Sequence, residues 1–233
     1  PGSATDASAA RGELIFVGYG ATAPEYKWDD FKGTDVRGKI LLVLVNDPPA
    51  PPSEPNLFGG KAMTYYGRWT YKFEEAERRG AAGMLIVHTT ERAGYPWHVV
   101  VNSNSTEHRL LMRDPAGPAP IGVRGWITDS AATALLAQAG LNMAQLRKQA
   151  ESRDFRPVPT GIIIDASMKH RLQHMSASNV VGVGRGIDPK VPEDYVAYRP
   201  HAEPFGHGPM VTGNPASTGP WNHGPAATAT RPS

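Results

Sequence analysis

The alternation of apolar and polar segments divides the chain into short strands and helices. The segments that predict strands are residues 13–20, 39–47, 81–88, 121–128, 161–167 and 178–183, with 195–198 as a shorter candidate. The second of them, KILLVLVND, carries Val and Leu at odd and even positions alike. A strand of that composition is typical of a sheet that is covered on both faces.

The clearest helix pattern covers residues 68–79. It places Trp69, Phe73 and Ala76 at helical spacing as a buried face, and Gly80 follows as a C-terminal cap. Because this amphipathic helix stands between two apolar strands, it predicts a crossover between parallel strands. The fold class is therefore α/β, with a mixed sheet and flanking helices.

Two further helices follow the fourth strand. They cover residues 130–139, with Thr128 or Asp129 as the N-cap, and residues 143–152, with Asn142 as the N-cap. Residues 89–120 are rich in polar residues, Gly and Pro, and predict a long excursion with little regular structure. Residues 1–12 are small and polar and predict a flexible lead-in.

The composition changes after residue 198. Residues 199–233 contain seven Pro and five Gly but only three Lys, Arg, Asp or Glu. This segment has no apolar periodicity to offset the entropy of ordering. We therefore predict a tail that is disordered or that was produced by a shifted reading frame.

Charge and cysteine content exclude several classes of function. The formal net charge is +2, from 24 basic and 22 acidic residues, so no strong field attracts nucleic acid. The chain has no Cys, which excludes disulfides, thiolate zinc sites and a cysteine nucleophile. No apolar run approaches the roughly 20 residues of a membrane span, and the chain starts without a signal-peptide pattern.

Four blocks in order resemble a known family. They are residues 16–30 (FVGYGATAPEYKWDD), 35–40 (DVRGKI), 61–76 (KAMTYYGRWTYKFEEA) and 79–88 (RGAAGMLIVH). Together they resemble the protease-associated domain of bacterial zinc-dependent aminopeptidases, which are relatives of glutamate carboxypeptidase II and the transferrin receptor. The resemblance implies a protease-associated domain over residues 13–177 and the first strands of a truncated α/β zinc-peptidase domain over residues 178–198.

The same resemblance implies a single candidate metal ligand. The family continues with Thr-Ala-His-x-Asp-His-x-Gly, and this chain has RPHAEPFG at residues 199–206. His201 falls on the zinc-binding His, Glu203 on the Asp and Pro204 on the second His. Because the family's later ligands have no counterpart here, we expect no zinc to be bound by this chain alone and no catalysis by it. By resemblance, the parent enzyme would be periplasmic or extracellular and would act on a peptide substrate.

Aromatic side chains with polar tips are the best candidates for a binding surface. Tyr65 and Tyr66 precede the first helix, and Trp97 lies in the long excursion; such residues are frequent at interfaces and site rims. We expect both tyrosines to be partly exposed and to lie near Trp97. The sequence thus predicts an accessory or substrate-access module. Two alternatives stay open: an active zinc metallopeptidase that other chains complete, and a receptor-like interaction domain without enzymatic ancestry.

Overall fold

The computed structural model divides the chain into two compact units, Pro1–Leu172 and Gln173–Ser233. The residues that it describes are 7–105, 119–169 and 171 in the first unit, and 197–199 and 210–212 in the second. The predicted strand at 178–183 and the candidate ligand His201 lie outside these residues.

The first unit is a mixed α/β structure around one curled sheet. Its strands are Ala7–Phe16 (β1), Thr22–Ala23 (β2), Trp28–Asp29 (β3), Ile40–Leu44 (β4), Gly83–His88 (β5), Val123–Thr128 (β6) and Val158–Lys169 (β7). Its helices are Trp69–Arg78 (α1), Thr90–Ala93 (α2), Trp97–Asn104 (α3), Asp129–Gln138 (α4) and Met143–Ala150 (α5). The predicted α/β class with a mixed sheet is confirmed.

The main sheet has five strands in the order β6-β5-β4-β1-β7. Strands β1, β4, β5 and β6 run parallel, and β7 pairs with β1 in the antiparallel sense. Because α1 connects the parallel neighbours β4 and β5, the predicted crossover is confirmed. The short strands β2 and β3 form a separate antiparallel pair in the loop after β1.

Apolar side chains cover both faces of the central strands. On one face, Leu14 and Phe16 belong to a core that includes Leu136 of α4 and Leu146 of α5. On the other face, the alternating residues of the same strands pack with Phe73 of α1. All five residues of β4 are buried, as its uniform Val and Leu content predicts.

Three glycines allow close approaches between segments of the sheet, two of them at β1. A Cβ atom on Gly122 would lie 2.0 Å from the carbonyl oxygen of Ala9, and one on Gly12 would lie 2.4 Å from that of Gly38. A Cβ on Gly83 would lie 3.1 Å from the carbonyl oxygen of Val123. A side chain at Gly122 or Gly12 would require the facing backbone to move, and one at Gly83 would have little room.

Strand β1 begins at Ala7, inside the segment predicted as a flexible lead-in. Its first residues pair with the end of β7, with Ala7 opposite Lys169 and Ala9 opposite Ser167. This part of β1 is small and polar, so its strand conformation depends on pairing and not on its own apolar pattern.

The helix caps lie at the residues that the sequence predicts. The Thr128 hydroxyl accepts a hydrogen bond from the backbone N–H of Ala131, and the Asn142 side chain accepts one from that of Gln145. Gly80 follows α1 with φ +66°, the left-handed conformation that a C-terminal glycine supplies. These predictions are confirmed.

The prediction of little regular structure over residues 89–120 is wrong in its first half. Helices α2 and α3 lie there, and Gly94 ends α2 in the left-handed conformation. Val100 of α3 is buried, and the ring of Trp97 packs on His88. Tertiary packing of these two side chains therefore stabilises a helix that Val-rich local sequence does not favour.

The second unit contains one described pair of strands. Ala197–Arg199 (β8) pairs with Met210–Thr212 (β9) in the antiparallel sense. The shorter predicted strand at 195–198 overlaps β8, and β9 lies inside the segment predicted as a tail without packing.

Candidate functional site

The predicted binding residues Tyr65 and Tyr66 lie in a 3₁₀ turn, Tyr65–Gly67, just before α1. The Thr64 hydroxyl caps this turn by accepting a hydrogen bond from the backbone N–H of Tyr66. The carboxylate of Asp47, which follows β4, accepts hydrogen bonds from the backbone N–H of Thr64 at 2.6 Å and from its hydroxyl at 2.8 Å. The end of a central strand thus fixes the start of the tyrosine turn.

A second anchor is Lys72 of α1, which is completely buried. Its ammonium group donates hydrogen bonds to the carbonyl oxygens of Tyr19 at 2.6 Å and of Tyr66 at 3.0 Å. Tyr19 belongs to the loop after β1. One side chain therefore connects α1, that loop and the tyrosine turn.

Two buried carboxylates lie in the electrostatic environment of Lys72. Burial lowers the pKa of Lys72 to about 8, against the opposing attraction of Asp47 and Asp30. Burial raises the pKa of Asp30 to about 6, although its carboxylate accepts hydrogen bonds from Ala21 N–H and from the Trp28 indole N–H. Burial likewise raises the pKa of Asp47. These shifts record the cost of burying three charged groups together.

Tyr66 packs within a cluster of aromatic rings. Its ring makes edge contacts with those of Phe58 at 5.9 Å, Tyr26 at 6.4 Å and Tyr71 at 5.0 Å between centroids. Its hydroxyl donates a 2.7 Å hydrogen bond to the Glu25 carboxylate. Burial raises the pKa of Tyr66 most, and this hydrogen bond raises it further.

Tyr65 projects further from the surface. Its ring packs on Tyr71 at 5.7 Å, and its hydroxyl donates a 2.7 Å hydrogen bond to the Glu74 carboxylate. Partial burial and this hydrogen bond raise the pKa of Tyr65 to about 12. Both tyrosine rings are therefore fixed in place by their hydroxyl groups as well as by their neighbours.

The segment from Lys61 to Thr70, called here the 61–70 segment, exposes three large side chains. Met63 is 41% exposed, Tyr65 48% and Trp69 51%. The expectation that Trp69 belongs to the buried face of α1 is wrong: its ring packs on that of the buried Phe73 at 6.2 Å between centroids, but half of its surface stays exposed at the start of the helix. The expectation of partial exposure is met by Tyr65 and by the half-buried Tyr66.

Trp97 lies in a different cluster. Its ring packs on buried His88 with centroids 5.5 Å apart, and His88 also contacts Tyr95 and Trp126. The His88 Nε2 atom lies 3.0 Å from the carbonyl oxygen of Tyr95. Within the part of the chain that the structure describes, no ring contact or hydrogen bond joins Trp97 to Tyr65 or Tyr66, and a common rim of the three residues stays a prediction.

A shallow cleft of about 440 Å³ opens beside the aromatic cluster and includes Tyr26, Glu54 and Arg153 among its lining residues. The Arg153 guanidinium holds both carboxylate oxygens of Glu54, at 2.6 and 2.7 Å. These opposite charges satisfy each other, so this pair leaves no net charge for a ligand.

Sequence reasoning missed the buried anchors Lys72, Asp30 and Asp47. A lysine on an amphipathic helix is normally assigned to solvent. The signal was its spacing, because Lys72 is four residues before Ala76 and therefore shares the face of a residue predicted to be buried.

The described residues contain no group of three or more His, Asp or Glu side chains that could hold a metal ion. The candidate ligand His201 lies outside them, so the zinc site that the resemblance implies stays a prediction. Over the same residues, no helix has both the length and the apolar content to cross a membrane.

Comparisons with protein-family models, with curated proteins and with solved structures found no significant match to this chain.

Proposed function

We propose that this chain is an accessory module of the protease-associated type, which controls the access of a peptide substrate to the active site of a zinc-dependent exopeptidase in the periplasm or outside the cell. The observation that carries the proposal is the 61–70 segment. It exposes Met63, Tyr65 and Trp69 while Asp47 and Lys72 hold the backbone beneath them.

Exposed groups of large apolar side chains mark binding surfaces in soluble proteins. Aromatic side chains that are already fixed lose little conformational freedom when a partner binds. The two tyrosines meet this condition, since Glu74 and Glu25 hold their hydroxyl groups. A fixed aromatic surface is well suited to guiding extended peptides.

The packing of the four family-like blocks against one another also supports the proposal. The first and third blocks meet where the backbone N–H of Thr22 donates to the Tyr71 hydroxyl at 3.0 Å. The second and fourth meet where the backbone N–H of Gly38 donates to the carbonyl oxygen of Gly80 at 3.0 Å. Segments that together characterise a domain family are expected to form one contiguous structure, and these do.

Peptide binding tests the proposal directly. We expect short unstructured peptides that carry a fluorescent label to bind the purified chain in a saturable manner, as measured by fluorescence anisotropy, and Trp69→Ala to abolish or strongly weaken the binding. Ile163→Ala is the matched control, because Ile163 is also a large exposed apolar residue, on β7. Equal binding by the Trp69 variant and the wild type would contradict the proposal.

Catalytic assays separate the accessory role from the alternative of a metallopeptidase completed by other chains. We expect the purified chain not to hydrolyse aminoacyl anilides with or without added zinc. Zinc-dependent turnover that His201→Ala abolishes would replace the accessory role with a catalytic one.

A further inference from the structure

The charges of the 61–70 segment are all of one sign. Lys61 and Arg68 are its only charged residues, and the next acidic residue along the chain is Glu74. Lys61 is exposed and Arg68 is half-buried. Neither side chain makes an ion pair or hydrogen bond with another described residue. By contrast, Arg78 and Arg79 at the other end of α1 both contact the carboxylate of Glu75 at 2.7 Å.

The hydroxyl groups of the two tyrosines are not available as hydrogen-bond partners for a ligand. The hydroxyl of Tyr65 is already used by Glu74, and that of Tyr66 by Glu25. The charge of Glu74 is in turn partly compensated by Arg78, whose nearest guanidinium nitrogen lies 3.8 Å away. The tyrosines therefore offer ring surfaces, and the charged hydrogen-bond donors of the segment are those of Lys61 and Arg68.

We infer that the 61–70 segment binds an acidic peptide segment in which Asp or Glu residues flank an apolar side chain. The apolar side chain packs against Tyr65 and Trp69, and the carboxylates pair with Lys61 and Arg68. A guanidinium group matches a carboxylate in a two-point hydrogen-bonded arrangement, and an ammonium group attracts it as a point charge. This inference rests on the proposed peptide-binding function and adds the chemical class of the peptide.

Two labelled peptides test it by fluorescence anisotropy with the full chain. One has two aspartates around a Phe-Leu pair, and the other has asparagines in their place. We expect the acidic peptide to bind about three- to tenfold more tightly at low ionic strength, the range for two exposed ion pairs. Added salt should remove this difference because it screens exposed charges.

Variants assign the preference to the two cations. The double variant Lys61→Gln/Arg68→Gln should bind both peptides equally, with the affinity that the wild type has for the neutral one. Trp69→Ala should weaken the binding of both. Lys148→Gln is the control for a general charge effect, because the Lys148 side chain is 83% exposed on α5, and it should keep the preference.

The possible failures are distinguishable. Equal wild-type affinity for the two peptides, or a preference that survives in the double variant, overturns the acidic specificity and leaves the peptide-binding role intact. Absence of binding to either peptide overturns both. Tighter binding of a labelled single-stranded oligonucleotide than of the acidic peptide would assign the cations to phosphates and overturn the inference.

Discussion

The ammonium nitrogen of Lys72 lies 2.6 Å from the carbonyl oxygen of Tyr19, and the whole lysine side chain is sealed from solvent. The same nitrogen is bonded to the carbonyl oxygen of Tyr66, so the position of the 61–70 segment depends on a buried charge. Asp30 and Asp47 attract this charge through space. The buried polar cluster of Lys72, Asp30 and Asp47 is thus connected to the exposed aromatic surface through the hydrogen bond from Lys72 to Tyr66.

Removal of this charge should destabilise the fold. Lys72→Met leaves two buried carbonyl groups without their donor and two buried carboxylates without their cation. We expect the free energy of unfolding at pH 7 to fall by about 2–4 kcal/mol, measured by urea denaturation. Lys148→Met, at an exposed position, should change it by less than about 0.5 kcal/mol. A Lys72 variant as stable as the wild type would show that the buried ammonium contributes nothing.

The depressed pKa of Lys72 predicts a pH dependence with a definite sign. Burial lowers this pKa from 10.5 in the unfolded chain to about 8 in the folded one. Between these values the unfolded chain binds more protons, so the free energy of unfolding rises as the pH rises from about 8 to 10. Below pH 8 Lys72 is charged in both states, so the free energy of unfolding is reduced by the full cost of burying its charge.

The Lys72→Met variant isolates this effect. The wild type should gain roughly 2 kcal/mol relative to the variant over those two pH units, at about 1.4 kcal/mol per unit of pKa as an upper limit. Urea denaturation at pH 7, 8, 9 and 10 measures the difference. If the two proteins show parallel pH profiles, the folded-state pKa of Lys72 is not depressed.

Substitution of Gly122 should disturb the close approach between β1 and the residue that precedes β6. A Cβ atom at this position would lie 2.0 Å from the backbone oxygen of Ala9, and backbone cannot move away as a flexible side chain can. We expect Gly122→Ala to lower the free energy of unfolding by about 3 kcal/mol. In Gly125→Ala the new Cβ would meet only the Leu85 side chain, at 3.0 Å, and the loss should be much smaller. Equal losses in thermal denaturation would argue against the close crossing of β1.

Substitution of Trp69 should cost much less stability than substitution of Phe73. Because Trp69 is half exposed and Phe73 is buried, Trp69→Ala should cost less than about 1 kcal/mol of stability, whereas Phe73→Ala should cost about 3–5 kcal/mol. Urea denaturation of both variants measures this. A large loss in the Trp69 variant would return that side chain to the core.

The strands were predictable where the sheet is covered on both faces. Strand β4 is apolar at every position, as is typical of a strand that is covered on both faces. The beginning of β1 was not predictable, because residues 7–12 carry no apolar pattern and pair only through the distant strand β7. Helix α3 was missed for the same reason: its contact with His88 is a tertiary one.

The sequence predicts the exposed tyrosines of the candidate site but not the buried lysine that holds them in place. Aromatic character alone indicated Tyr65 and Tyr66. The bonds of Lys72 join residues as far as 53 positions apart in the chain, and no local pattern encodes such a partner. Aromatic character alone groups Trp97 with the tyrosines, but it does not predict the contact of its ring with His88.

Ala7 and Lys169 are register partners at the open end of the β1–β7 ladder. The polypeptide therefore enters and leaves this sheet side by side, with antiparallel partners only about 4.5–5.5 Å apart at their Cα atoms. Because its two ends lie side by side, the segment of residues 7–169 is compatible with insertion at a single hairpin turn of another protein. The same geometry sets the response to force: tension on the two ends would unzip the ladder one residue pair at a time instead of shearing all its hydrogen bonds together.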